Sequence, residues 1–544
     1  MRAALAALGA FLLVAVVLPL YALLSRSFQD ADGAFVALAN YRGFLATPAL
    51  SQSIEHSFTV AFASTAVTLA LAFAYAYGLT RSCIPFKPLF KGVALIPILM
   101  PSLLPAISLV YLFGNQGILK SWLMGASIYG PIGIVLGEVF YVFPHALMIL
   151  LIALATSDAR VYEAAESLRA SKLRIFFTVT LPSVRYGLVS TFFAVFTLVI
   201  TDFGVPKVIG GQYNVLATDV YKQVVGRQDF QMGAVVSMML LVPAAIAFLA
   251  DRVAQRRQVA LLTTRSVPYQ PKPVRGRDTV LFGFCALVSL GILAVLGMAA
   301  FASFVRLWPY NLALSTYHYN FDLRDGGSWA SYRNSVEMAA WTAVVGTAVV
   351  FGGAYLVEKT KGVRLARAAV QLLCMVPMAV PGLSLGLAYI FFFNAPGNPL
   401  NVLYHTMAVL VICTIAHFYT VPHLTALTVL KQMDPEFEAV SASLKVPFYK
   451  TFWRVTVPVC LPAILDLSLY LFLNAMTTVS AVVFLYSPDT TLASVAVLNM
   501  DDAGETASAA AMGMMIVYTS IAVRVLHALG TRTIARRAQA WRRR

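Results

Sequence analysis

Apolar residues run in stretches of about 20, the length that crosses a ~30 Å hydrocarbon layer as helix. Backbone groups in lipid must bond within their own segment, so each such stretch predicts a transmembrane helix. The pattern predicts twelve spans. In the first half they lie near Ala3 to Leu24, Phe58 to Leu79, Gly92 to Phe113, Ile132 to Leu154, Gly187 to Val205 and Gly233 to Ala250. In the second half they lie near Val280 to Phe301, Val336 to Val357, Ala366 to Phe393, Val402 to Leu427, Ala463 to Tyr486 and Ala507 to Leu529.

The halves repeat. Phe176/Phe452, Val179/Val455, Thr180/Thr456 and Pro182/Pro458 match at one offset, 458 − 182 = 276, which also pairs Tyr41 with Tyr317, Ser108 with Ser384 and Leu109 with Leu385. Six spans per copy is an even number, so both copies enter the membrane the same way up, as a parallel repeat. The reading is a first repeat over residues 1–250, a second over 279–544, and between them a basic, polar linker over 251–278. In that linker Pro268, Pro271 and Pro273 predict extended chain.

Composition agrees with the pattern. With 59% hydrophobic and 12% charged residues and a mean hydropathy of +0.77, the chain has more apolar surface than a soluble core hides. The first span exceeds a signal-peptide core and ends at LLSRSF rather than a small-residue cleavage site, so it reads as retained. With the amino terminus inside, the outer loops hold nine of the 40 Lys and Arg, which satisfies the positive-inside rule and predicts both termini in the cytoplasm. A net charge of +16 then needs anionic lipid but no nucleic acid. The five cysteines all fall in spans or on the inner side, so no disulfide framework is expected.

Two inner loops carry the chemistry. In the first, about 157–185, Asp158 reads as a helix cap, and Val161, Ala164 and Leu168 form one apolar stripe. In the second, about 431–460, Asp434 is the cap, Pro435 takes the first helical position, and Phe437, Val440 and Leu444 repeat the stripe. A short amphipathic helix held at an inner face suits a groove on a partner or a bed of lipid headgroups.

Glu163, Ala164 and Ala165, followed by Leu181 and Pro182, resemble the EAA loop of binding-protein-dependent ABC importers. The second loop resembles it through Glu438, Ala439 and Pro458. The resemblance implies an all-α type I importer permease of about twelve helices in the bacterial inner membrane. It also implies loops that dock on ATPase subunits, two per chain, and outer surfaces that meet a periplasmic or extracellular binding protein. ATP and Mg would sit on the partner, and this chain would bind no cofactor. The docking residues implied are Glu163, Ala164, Ala165, Leu168, Arg169, Pro182, Glu438, Ala439, Leu444, Lys445 and Pro458.

Two features depart from the family pattern. The family glycine falls on Arg169 and Lys445, where a left-handed conformation is costly, so the bend is expected to shift by a residue or two, with Pro447 making it in the second loop. Glu163 aligns with Ala439 while Glu438 stands one residue earlier, which turns the two carboxylates about 100° apart around their helices and predicts unequal ATPase contacts. The chain is most similar to fused permeases for ferric iron, thiamine and 2-aminoethylphosphonate. The segments ITDFGVPKVIGG and TTVSAVVFLYSPDTTLASVAV look most like the phosphonate members. A phosphonate is therefore the expected substrate, with ferric iron or thiamine as the alternative and an ion-coupled secondary transporter as the reading from another class.

Candidate pathway residues are Asp202 and Asn474, near the ends of the fifth and eleventh spans, and the prolines Pro101, Pro105, Pro377 and Pro381. Glu138, His145, Glu337, His417, His423 and Asp466 are ionisable groups in or near spans, where a charge is costly unless paired. Gly382 and Gly386 have the spacing that lets segments approach closely. Their GLSLG sequence around Ser384 matches a serine-hydrolase pattern only formally, on an apolar helix. Gly-Lys does not occur, so the chain has no P-loop, and neither HExxH nor a Cys/His cluster points to metal or catalytic chemistry. Of the outer loops, Arg26 to Ser57, Pro206 to Gln231, Arg306 to Tyr332 and Ser487 to Glu505 are long enough to meet a soluble partner.

Overall fold

The computed structural model describes residues 1–155, 158–259, 267, 269–434 and 436–538, with the side chains of 255–259, 442 and 532–538 outside that description. Pro268, Pro435 and the terminal Arg542, Arg543 and Arg544 also lie outside it. Among the described residues the fold is all-α apart from one small antiparallel hairpin, Val305–Leu307 with Asn311–Leu314. Among the described residues nine helices are long and apolar enough to cross a membrane, and three bent pairs bring the number to twelve. This is an all-α integral membrane protein built from two copies of one unit.

Three of the predicted spans are broken. The third is Lys87–Leu99 followed by Leu103–Phe113 at 105°, and the ninth is Arg364–Ala379 followed by Gly382–Phe393 at 114°. The cause sits at matched positions: Met100 before Pro101 and Val380 before Pro381 are both extended, at ψ 138° and 118°. A proline ring clashes with helical backbone at the residue before it, so these prolines set the corners rather than gentle kinks. The tenth span divides into Met407–His417 and Thr420–Lys431, bent by 58°. There Pro422 has no N–H for the Phe418 carbonyl and crowds it.

Two predicted ends are also corrected. The fifth span stops at Thr201, before Asp202, and the eleventh at Thr477, with 478–486 in turns and irregular chain rather than helix. The run Thr477, Thr478, Val479, Ser480 favours leaving a helix, because β-branched and hydroxyl side chains lose freedom there or bond locally instead. In the expected linker, helix persists to Val259 and begins again at Arg275, since RVAQRRQV is a helix-forming sequence. Asp251 is buried in that helix and accepts a 2.5 Å bond from Ser190.

The chain divides into two compact units that cut it elsewhere than the repeat boundary. One comprises Met1–Asn40 with Asn320–Arg544. In it the first helix packs with the second copy's helices, and Tyr389 donates to the Ala15 carbonyl at 2.7 Å. The other is Tyr41–Tyr319, where the second, fourth and fifth spans pack together and Tyr75 is bonded to Phe90 and Ser289.

Candidate functional site

Each of the two loop helices forms as the spacing predicts, up to its end. The first loop helix is Ala159–Ser167, capped by Asp158, whose side chain accepts from the Arg160 N–H at 3.1 Å. The Arg160 guanidinium also grips Asp158 and holds its carboxyl at about 2, below the 3.8 of a free aspartate. The second is Glu436–Ser443, with Asp434 accepting from the Glu436 N–H at 2.9 Å. Both apolar stripes are open: Leu168 is 84% exposed and Leu444 70%, with Val161, Val440 and Phe437 also exposed.

The bend does not shift. Arg169 and Lys445 themselves adopt the left-handed conformation, at φ 55° and 52°. Ala170 then donates back to Ala165 at 3.1 Å, and Val446 to Ser441 at 2.9 Å, the six-to-one bonds that close a helix end. These bonds need one residue at positive φ, and the geometry outweighs the side chain's cost of about 1 kcal/mol or more.

Beyond the bend, Phe176–Thr180 and Phe452–Thr456 are π-helical turns at the same offset. Pro182 and Pro458 follow two residues later; each deprives the carbonyl four residues back of a donor, and a wider turn absorbs the misfit. Glu163 and Ala164 are exposed, Ala165 is half-buried, and Ala439, Pro182 and Pro458 are exposed. Glu438 is turned onto Lys359, the last residue of the helix Trp329–Lys359, Nζ to Oε1 2.6 Å, so its carboxylate is already paired.

Sequence reasoning passed over the groups that hold these helices in place. Arg81, buried at the C-terminal end of Pro48–Arg81, lies 5.3 Å over the Tyr162 ring and donates to the Leu154 carbonyl at 2.7 Å. Tyr162 in turn donates to Thr180 at 3.1 Å. Linker residues lie along the same helix: Tyr269 stands 4.5 Å from the Tyr162 ring, Val267 accepts from Ala159 at 2.8 Å, and Lys272 pairs with Glu166 at 3.0 Å. That pairing raises the lysine above its ordinary value. The signal was present in the sequence, since Tyr162 and Glu438 share the 276 offset and Arg81 and Lys359 each end a span.

The pathway candidates divide. Asp202 caps the short helix Gly204–Ile209, accepting from the Val205 N–H at 2.9 Å. Its neighbours are Ser102, beside the Pro101 corner, and Glu138, which is fully buried. The offset places Thr478, Met378 and Thr414 at the corresponding positions of the second copy, so this acid pair has no counterpart there. Asn474 donates to the Tyr470 carbonyl of its own helix at 2.8 Å. Pro101, Pro105, Pro377 and Pro381 are all buried.

Glycines stand at both corners. A Cβ on Gly204 would fall 2.1 Å from Ser102 Oγ, and one on Gly382 2.3 Å from Ser480 Oγ. Among the other ionisable groups, His423 contacts Gln371 at 3.2 Å, Asp466 contacts His527 at 3.3 Å, and Glu337 is exposed. In the long connecting segments, Glu505 is met by Arg324 at 3.6 Å. No group of three metal-ligating side chains occurs among the described residues.

Comparison with known proteins agrees with this geometry. The family described as "Binding-protein-dependent transport system inner membrane component" matches twice, over residues 66–259 and 347–536. The ferric transport system permease protein FbpB of Actinobacillus pleuropneumoniae is 28% identical over 83% of this chain and 67% of its own length. A putative ferric transport system permease protein FbpB of Haemophilus influenzae is 27% identical over 77% and 68%. The spermidine/putrescine permease PotB of Escherichia coli is 26% identical over 44% of this chain but 92% of its own length, so one PotB corresponds to about half of this molecule. This chain belongs to the family of binding-protein-dependent transport system inner membrane components, as a fused, two-copy permease of the ABC importer class.

Proposed function

We propose that this permease forms the membrane path for ferric iron. The observation that carries the reading is the similarity to two permeases named for ferric transport, each matched over more than three quarters of this chain. The site adds a physical argument. Glu138, buried, and Asp202, half-buried, are neighbouring carboxyls at a helix corner, and hard oxygen ligands of this kind suit a cation. The phosphonate expected from the sequence segments finds no support in the relatives.

In this reading the two loop helices dock through Leu168 and Leu444 on two copies of a separate ATPase. ATP binding draws the loops together and rocks the helices from inward to outward access, and hydrolysis resets them. A binding protein delivers substrate to the outer segments, and both termini lie on the ATPase side.

The test is uptake of labelled ferric iron into proteoliposomes that hold the chain, its ATPase and its binding protein, with 2-aminoethylphosphonate and thiamine in parallel. ATP-dependent uptake of iron alone supports the reading. ATP-dependent uptake of another solute discards iron, and uptake driven by an ion gradient without ATP overturns ATPase coupling.

A further inference from the structure

Tyr162 and Glu438 occupy the same position of the two loop helices, 438 − 162 = 276. Each is gripped by the basic residue that ends the long second helix of its copy, Pro48–Arg81 or Trp329–Lys359. In the first copy the Arg81 guanidinium lies 5.3 Å over the Tyr162 ring, and in the second Lys359 Nζ is 2.6 Å from the Glu438 carboxylate. The chemistry differs, a cation over an aromatic face against an ion pair, but the mechanical result is the same: one base joins the end of a membrane helix to the middle of a loop helix. Both bases also sit at helix C-termini, where a positive charge is favoured, so they are held from two sides.

Glu438 stands among the residues the resemblance implies for docking, but its carboxylate is held by Lys359 rather than presented outward. Tyr162 is buried, Lys359 is largely covered, and the exposed stripes at Val161, Ala164 and Leu168 and at Phe437, Val440 and Leu444 run along other positions of the helices. We propose that Arg81–Tyr162 and Lys359–Glu438 are positioning pairs that carry the displacement of each loop helix into the membrane helix behind it.

The first link is the more elaborate. Arg81 is also 4.6 Å from the Tyr269 ring, and the linker touches the loop helix at Ala159, Tyr162 and Glu166, close to one turn apart each time. Among the described residues the second loop helix has no such strap. The two loops therefore transmit unequally, the first through an aromatic stack braced by the linker, the second through one ion pair.

The inference rests on the chain acting with an ATPase, and its test reads docking and transmission apart. The full complex of chain, ATPase and binding protein is reconstituted in proteoliposomes with Lys359→Glu, Glu438→Lys, their double swap, Tyr162→Phe and Tyr162→Leu. Two quantities are read: the ATPase retained on purification, and the rise in ATP hydrolysis when binding protein is added.

Each reversed residue is expected to keep the ATPase but lose the rise about tenfold, and the swap to restore most of it. Tyr162→Phe keeps the ring and the response, whereas Tyr162→Leu loses the response. If a reversed residue fails to fold, Lys359→Met gives the same reading by removing the charge while keeping the stem. An unchanged rise in the single variants, or a swap that restores nothing, overturns the positioning role and leaves the importer reading intact. A wild-type chain that retains no ATPase overturns both.

Discussion

At the residue scale, the informative positions are those where one side chain bears a geometric cost. Arg169 and Lys445 hold left-handed backbone that glycine adopts freely. Arg169→Gly and Lys445→Gly are therefore expected to stabilise the chain by about 1 kcal/mol each, and Arg169→Val to destabilise it, read as thermal unfolding in detergent. Asp158 gives a pH signature. Its carboxyl is held at about 2 by Arg160, below the 3.8 of a free aspartate, so the unfolded chain takes up its proton first as pH falls. The stabilisation is present above about pH 4 and disappears as pH approaches 2. Wild type should then exceed Asp158→Asn in loop-helix stability at pH 6, with the difference closing across that window, because asparagine keeps the cap without the charge. A gap that persists at pH 2 would refute the charged pairing.

At the element scale, the corners at Met100–Pro101 and Val380–Pro381 are products of the proline rule, and the glycines beside them make the corners compact. A Cβ at Gly386 would lie 2.9 Å from the Ala481 carbonyl oxygen, a backbone atom that cannot swing aside. Gly386→Ala is expected to cost about 1–3 kcal/mol, the usual cost of overpacking, and Gly283→Ala, with open space around it, close to nothing. Denaturant unfolding of the two variants side by side checks this. The loop helices, their caps and their apolar stripes were legible because each depends on residues within one or two turns. The ends of the fifth and eleventh spans were not. Hydrophobicity continues past Thr201 and Thr477, while the backbone leaves the helix at Asp202 and Thr478.

At the scale of the whole molecule, the proposed docking and transmission roles fall on different faces of the same two short helices. Leu168→Asp and Leu444→Asp place a charge on the exposed stripes and are expected to reduce ATPase co-purification about tenfold without lowering thermal stability, since neither side chain packs against this chain. Stability that falls in step with association would instead assign these leucines to the fold. The buried Glu138 is unequal between the copies. Glu138→Gln is expected to leave the fold intact, because it removes a carboxyl with no basic partner, and to lower ferric uptake if that cation passes Asp202. Retention of full iron uptake by Glu138→Gln would remove the acid pair from the path.

The sequence by itself determined the class, the number of apolar runs, the internal repeat and the two amphipathic loop helices, because hydrophobic length, a constant offset and local helix signals are one-dimensional properties. Tertiary structure decided the rest. It set which helix partners which, placing Met1–Asn40 with the second copy's helices. It brought Glu138 beside Asp202, 64 residues on. It turned Glu438 back onto Lys359 rather than outward, and stacked Arg81 on Tyr162 and Tyr269. Each of these is a contact between segments whose separation along the chain carries no periodic signal, and the energy of burial and pairing acts only once the helices have packed.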